Sequence, residues 1–479
     1  MLSRRLAAFA ASAVLSTALA VPPDVVAAAT FDAPRGSVGI GDPYFPLDGN
    51  GGIDVRSYDI HDRYRFAEGR LSGWTAVRLT ATAAISGFNL DFLLPVSRVE
   101  VDGRRVTFDQ RHHELSVDAH LAAGETVRAV VRYSGFPGRY SYEGESNWLA
   151  DRHEVVAMNQ PHMAPWWFPA NDHPLDKARM RVSITVPREM QVIGNGRRVD
   201  RTVRRGLATT TWAADEPMVP YLAFFAAGSY EVAKGTAQGR PWLVAVSRGL
   251  GTAAQREAMG LMMQTPALLH WLEGVIGPYP FRQVGGLTTS LPVGFALENQ
   301  TRPTYPFMGD GPGAVRTVVH ELAHQWYGDS VAIAGWKDIW LNEGWATYFE
   351  NLYVETHGGA TTDDRLREQY AGIPADDAFW DHEVADPCPD HDRCVGPIFA
   401  DFVYERGGMA LAALRNRIGD SAFTTLLRRW AADREGGNGS TEQFEALAED
   451  VSGEDLGPFF DAWLHSTTKP ADTAANGLG

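Results

Sequence analysis

Residues 318–330 read VVHELAHQWYGDS. Two histidines, His320 and His324, flank Glu321 at a spacing of four. On an α-helix that spacing brings both imidazoles to one face, one turn apart. No Pro or Gly interrupts the run from Ala314 to Tyr327, so the stretch predicts a helix. Two imidazoles on one face can converge on a zinc ion. Glu321, between them, is then placed to take a proton from a zinc-bound water. Taken alone, the triplet leaves open a helix that carries two histidines by chance.

The next stretch closes that gap. WKDIWLNEGWATYFE, residues 336–350, has Trp340 and Tyr348 at helical spacing, continued by Leu352 just beyond it, which predicts a second buried helix carrying Glu343. A carboxylate one helix away would complete a two-histidine, one-glutamate set, with the fourth position open. A glutamate near a helix start can also serve the helix dipole alone. Together with the histidine pair, the ligand reading is the stronger one.

Working outward, the first half of the chain alternates like β structure. In SRVEVDGRRVTFD, Val99 and Val101 precede Asp102-Gly103, and Val106 and Phe108 follow, which predicts a hairpin. ARMRVSITVP places Met180, Val182, Ile184 and Val186 on one face. ETVRAVVRYSG and TATAAISGFNLDF are further strand candidates. From QREAMGLMMQTPALLHWLEGV onward the apolar residues recur at helical spacing. GLTTSLPVGFALENQ reads as a strand and its edge, and STEQFEALAEDV as a helix whose Ser440 and Gln443 form a capping box. The expected organisation is a signal peptide at 1–29, a β-rich domain at 30–235, a mostly helical domain at 236–468 and a loose polar tail at 469–479. No internal repeat or low-complexity tract is present.

The 479 residues are 44% hydrophobic and 21% charged, an ordinary globular composition. A net charge of -16, without a basic run beyond the first residues, argues against nucleic acid as a partner. Arg4 and Arg5 precede an apolar run from Leu6 to Ala20, with small-residue cleavage sites ending at Ala20 and Ala29. That predicts a secretory signal peptide and an exported, soluble protein without stable membrane insertion. In an exported protein, the close pair Cys388 and Cys394 in DPCPDHDRC predicts a disulfide, a Cys/His metal site with His391 being the alternative.

HELAHQWYGDS followed by WKDIWLNEGWATYFE closely resembles the zinc aminopeptidase family of alanyl aminopeptidase (aminopeptidase N) and leukotriene hydrolase, within the gluzincins. PMVPYLAFFAAGSYE (217–231) resembles that family's last strands before its catalytic domain, and WLEGVIGPYPF (271–281) its early catalytic helix and turn. The resemblance implies an α+β chain: a β-sheet saddle domain, then a thermolysin-like, mostly helical catalytic domain. It implies one zinc ion held by His320, His324 and Glu343, with Glu321 as general base. FVYERGGMALAALR (402–415) is similar to the family's Y-E-K-G segment and makes Tyr404 the hydroxyl that stabilises the tetrahedral intermediate.

VGFALENQ (293–300) is similar to G-A-M-E-N. Ala296, Glu298 and Asn299 match, Leu297 replaces Met, and Phe295 stands in place of the Gly. Glu298 is then expected to bind the substrate's α-amine, with Ala296 in the strand beside the peptide. The F-P-x-x-D segment matches at Phe168, Pro169 and Asp172, which places a second amine contact at Gln160. The chain ends soon after FFDAWLHS, which resembles the end of the catalytic domain, so it is expected to be a short form without the helical C-terminal domain and with a more open cleft. Trp166 and Trp167 are candidates to line that cleft, core packing being the commoner use of such residues. Asp338 is a candidate either to orient a ligand histidine or to cap the Glu343 helix; His112 and His113 read as surface or structural. The expected function is a secreted, monomeric zinc aminopeptidase acting on peptides. An open-cleft zinc endopeptidase and an exported, zinc-containing peptide-binding protein are the rivals.

Overall fold

The first half alternates as its sequence requires, and a computed structural model, which describes residues 33–479, gives the pairing. The signal peptide expected at 1–29 lies outside the described residues. An eight-stranded mixed sheet forms the largest layer. At its centre the strand Ile53–Arg65 runs antiparallel to Arg70–Ala81 and parallel to Ala178–Pro187. Met180, Val182, Ile184 and Val186 are all buried on one face, as period-two patterning demands. Val96–Val101 and Arg104–Val106 form the expected hairpin. Its turn residues, Asp102 and Gly103, both have positive φ (48° and 77°), the requirement of a two-residue hairpin loop. A three-stranded sheet packs alongside (Ile85–Asp91, Glu114–Leu121, Phe108–Arg111), and a four-stranded one carries Val155–Ala157.

The second sheet system begins at Tyr230, before the expected boundary at 235. Tyr230–Ala237 pairs with Arg240–Ser247, which runs parallel to Val284–Thr288, itself parallel to Thr304–Tyr305. Helices Thr252–Met262 and Thr265–Val275 pack on this sheet. The helix Pro312–Ala323 continues in helical turns to Tyr327, and Trp340–Thr356 follows it. Gly328 ends the first of these with φ 138°; a Cβ there would lie 3.3 Å from the Asn342 side chain and 3.4 Å from His324 Nδ1. Thr441–Ser452 starts on the expected capping box of Ser440 and Gln443.

Helix Trp340–Thr356 packs on the long helix Asp401–Asp433, which breaks at Gly419 (φ 81°). The two backbones touch at Gly344 and Gly407. A Cβ on Gly344 would lie 3.0 Å from the Gly407 carbonyl carbon. Glu343 adjoins Gly344 on one helix, and Tyr404 lies one turn before Gly407 on the other. Gly344→Val is therefore expected to force the helices apart and to cost about 1–3 kcal/mol, read as a lower midpoint in urea unfolding.

Two expectations need correction. The segment after Lys469 is docked, not loose: Leu478 is buried, Arg367 donates to its carbonyl (2.6 Å), Asn416 to that of Gly477 (3.0 Å) and Trp463 to that of Asn476 (3.1 Å). Its polar composition misled because its backbone carbonyls, not its side chains, make the attachment. Trp166 and Trp167 are fully buried, Trp167 packing edge-on against Phe168 and Phe225, so they belong to the core and not to the cleft. Cys388 and Cys394 form a disulfide with Cα atoms 5.5 Å apart. Among the described residues no helix is long and apolar enough to cross a membrane.

Candidate metal centre and substrate cleft

His320 and His324 sit one turn apart at the end of their helix, and Glu343 faces them from the first turn of the next. Both imidazole Nε2 atoms approach the same Glu343 oxygen, at 3.3 and 3.4 Å. All three side chains are buried. Each ring is held from behind. His324 Nδ1 donates to the Tyr327 carbonyl (3.0 Å), and His320 Nδ1 donates to Glu350 (2.8 Å). With Nδ1 held from behind, Nε2 is the nitrogen that faces Glu343 and that would meet a metal ion.

Burial pulls the His324 ring down, but the Glu343 charge outweighs it and raises the ring to about 9. Burial likewise opposes the Glu343 carboxylate, yet the two rings hold it at about 2. The set thus calls for positive charge at its centre. Two imidazole nitrogens and one carboxylate oxygen, buried, with their second nitrogens tied, fit a zinc ion with an open position.

Glu350 was not foreseen as part of the site, although it lies two turns along the helix from Glu343, on the same face. Glu350→Ala is expected to weaken metal binding by about 10–100-fold without removing a ligand, as read by titration against a chelator of known affinity. Asp338 fills neither expected role: its carboxylate accepts from the Thr441 backbone (2.9 Å) and hydroxyl (2.8 Å).

Every residue expected at the metal or substrate site lines one cavity of about 210 Å³. Glu321 is buried, which raises its carboxyl to about 8, with the two imidazoles opposing. One oxygen each of Glu298 and Glu321 and one His324 nitrogen lie within 4.8 Å of one another. Tyr404 comes from the long helix, its ring nearly parallel to that of His320 at 6.1 Å.

Glu298 is the most elaborately held group. Its Oε1 accepts from the Tyr221 hydroxyl (2.8 Å) and from Gln160 Nε2 (3.1 Å), and its backbone carbonyl accepts from Gln325 (2.9 Å). Gln160 thus reaches the cleft from the first half of the chain. Tyr221 is a further member, unforeseen although it stands in the PMVPYLAFF stretch; no local spacing ties it to Glu298. Leu297 exchanges both backbone hydrogen bonds with Thr304 (2.8 Å each). By the alternation of an antiparallel ladder, this turns the peptide groups of Ala296 toward the open side. Phe295 is 43% exposed at the same cavity.

The Peptidase M1 N-terminal domain matches residues 58–222, and the Peptidase family M1 domain matches residues 306–463. The chain belongs to peptidase family M1. An M1 zinc metallopeptidase from Deinococcus radiodurans, in a variant bound to a Tyr-Ser-Ala substrate, superposes with a TM-score of 0.80 at 28% identity over 90% of this chain and 99% of the other. A two-domain M1 zinc metallopeptidase variant bound to L-tryptophan gives 0.78, also at 28% and with the same coverage. Among curated M1 relatives, Aminopeptidase M1-B of Oryza sativa subsp. japonica is 25% identical over 86% of this chain and 50% of its own length. Aminopeptidase M1 of Arabidopsis thaliana is 25% identical over 70% and 39%. This M1 chain spans half or less of the length of these curated relatives. It shares with the M1 structures an extensive N-terminal β-sheet domain followed by a helical catalytic domain.

Proposed function

We propose that this M1 peptidase is a zinc aminopeptidase that removes the N-terminal residue from peptides. The observation that carries the reading is the Glu298 carboxylate, fixed by Tyr221 and Gln160 beside His324 and Glu321. A buried carboxylate there wants a cation, and the α-ammonium is the cation that every free peptide supplies, whatever its side chains. Amine and scissile carbonyl are then separated by one residue, which sets the cut.

His320, His324 and Glu343 hold the zinc ion, which supplies Lewis acidity toward the scissile carbonyl and toward water. Glu321 takes the proton of the attacking water and passes it to the leaving amine. The Tyr404 hydroxyl donates to the oxyanion. Glu298, with the Gln160 amide, holds the substrate ammonium, and the Ala296 backbone lies along the peptide. Phe295 offers an aromatic wall to whatever enters the open end. The Tyr-Ser-Ala and amino-acid complexes of the Deinococcus and two-domain proteins support the substrate class. The export signal read at residues 1–29 supports secretion of the mature chain, and we take it to act as a monomer.

The test is mass spectrometry of one peptide incubated with the zinc-loaded protein, free at its N-terminus or acetylated. Single-residue losses from the free peptide alone support the reading. Internal cuts in both forms would replace it with an endopeptidase. No cut in either, with zinc bound, would leave a peptide-binding protein.

A further inference from the structure

A second convergence of ligand-type side chains lies in the first half of the chain, away from the cleft. Asp91 ends the strand Ile85–Asp91, and Glu114 begins the strand opposite; the register sets them face to face. Like charges directly opposed in a sheet repel. The buried imidazole of His113 adjoins both: Nε2 lies 3.6 Å from Glu114 Oε1 and 3.9 Å from Asp91 Oδ1. One donor atom from each of the three residues falls within 4.8 Å of the others, as in the His320, His324 and Glu343 set. Nε2 also lies 3.2 Å from the Tyr142 hydroxyl and 3.4 Å from the Leu47 carbonyl.

The carboxylates are aimed and left unanswered. Asp91 Oδ2 accepts from Asn50 Nδ2 (3.1 Å) and from the Asp172 backbone (2.7 Å), which turns Oδ1 inward. Asp91 is 1% exposed, and its Oδ1 has no hydrogen-bond partner. Neither Glu114 oxygen has one, nor do Asp172 Oδ2 and Asn50 Oδ1. Orphaned buried oxygens of this kind are rare and costly. His162 answers Asp48 and Glu145, but among the described residues no Lys or Arg pairs with Asp48, Asp91, Glu114 or Asp172.

We propose that Asp91, His113 and Glu114 bind a second divalent transition-metal ion, of the zinc or manganese class. An imidazole with two carboxylates suits such ions, whereas calcium and magnesium take all-oxygen sets. The ion would neutralise the opposed pair and tie the two strands to the segments carrying Asn50 and Asp172. From there a hydrogen-bond chain runs to the cleft. Tyr142 donates to Asp48, His162 bridges Asp48 and Glu145, and Asn159 donates to Glu145 (2.6 Å) beside Gln160. The second ion thus steadies the Gln160 segment without touching substrate.

The test counts metal on the full chain, stripped with chelator, reloaded with Zn²⁺ or Mn²⁺ and dialysed. The expected result is two ions per chain in the wild type, one in His324→Ala, one in Glu114→Gln and none in the double variant. A wild type with one ion, lost in His324→Ala and kept in Glu114→Gln, overturns the proposal and leaves Asp91 and Glu114 sharing a proton. A second ion that binds only as Ca²⁺ and survives His113→Ala overturns it as well. Melting curves check that the variants fold. If they do not, anomalous scattering from zinc-loaded wild-type crystals decides, by a peak or none among Asp91, His113 and Glu114. Loss of the second ion leaves the aminopeptidase reading standing, since that reading is decided separately, by single-residue cleavage of a free-amine peptide.

Discussion

Glu321→Gln is expected to lower kcat by about 10²–10⁴-fold, the range for loss of a positioned general base. The variant is close in shape to the wild type, and Glu321 lines the cavity beside the ligand rings without belonging to the His320, His324 and Glu343 set. Metal content should therefore stay at the wild-type value while turnover collapses. The two readings separate cleanly. A residue that merely packs the helix would, when changed, alter the melting temperature or the metal count before the rate. The measurement is kcat on a free-amine peptide, paired with metal analysis of the same sample. Unchanged kcat with full metal would move the proton-transfer role away from Glu321, and Glu298 would be the next carboxylate to test. Loss of metal together with activity would make Glu321 a support for the ligand helix.

How much of this site the sequence discloses depends on the distance over which its parts are tied. His320, Glu321 and His324 are legible because helical period alone puts them together, and Glu343 because the next helix is equally periodic. Glu350 obeys the same period; only its chemical role went unread, since an exposed-looking glutamate two turns from a ligand has many uses. The strands are legible where one face is buried, as at Met180 to Val186, because alternation is a local consequence of the pleat. Tyr221 is different. It meets Glu298 across separate segments of chain, so nothing near it signals the contact. Gln160 became legible through family resemblance and not through its own neighbourhood. The tail after Lys469 shows the converse error: polar composition predicts exposure, but the carbonyls of Asn476, Gly477 and Leu478 find donors on three helices. The orphaned oxygens around Asp91 carry no sequence signature either, because strand register, not spacing, brings Glu114 opposite.

Glu298→Ala is expected to cost about 2–5 kcal/mol in transition-state binding of free-amine peptides, the range for removing one partner of a buried, hydrogen-bonded charge pair. That corresponds to a fall in kcat/KM of about 30-fold to several thousand-fold. The loss should be selective. An acetylated peptide has no ammonium to bind, so its residual cleavage should change far less, and the ratio between the two substrates should shrink toward one. Glu298→Gln refines the argument. A glutamine can still accept from Tyr221, whose hydroxyl lies 2.8 Å from Oε1, so the local fold is retained while the charge is lost. If the ammonium contact is the role of Glu298, both variants lose discrimination against acetylated peptide. If instead Glu298 only braces Tyr221 and Gln160, the glutamine variant keeps wild-type kcat/KM and full discrimination, and selection for a free N-terminus must come from elsewhere in the cleft. Gln160 is the remaining candidate, since its amide reaches the same carboxylate from the other half of the chain and would then face the substrate amine with its carbonyl oxygen.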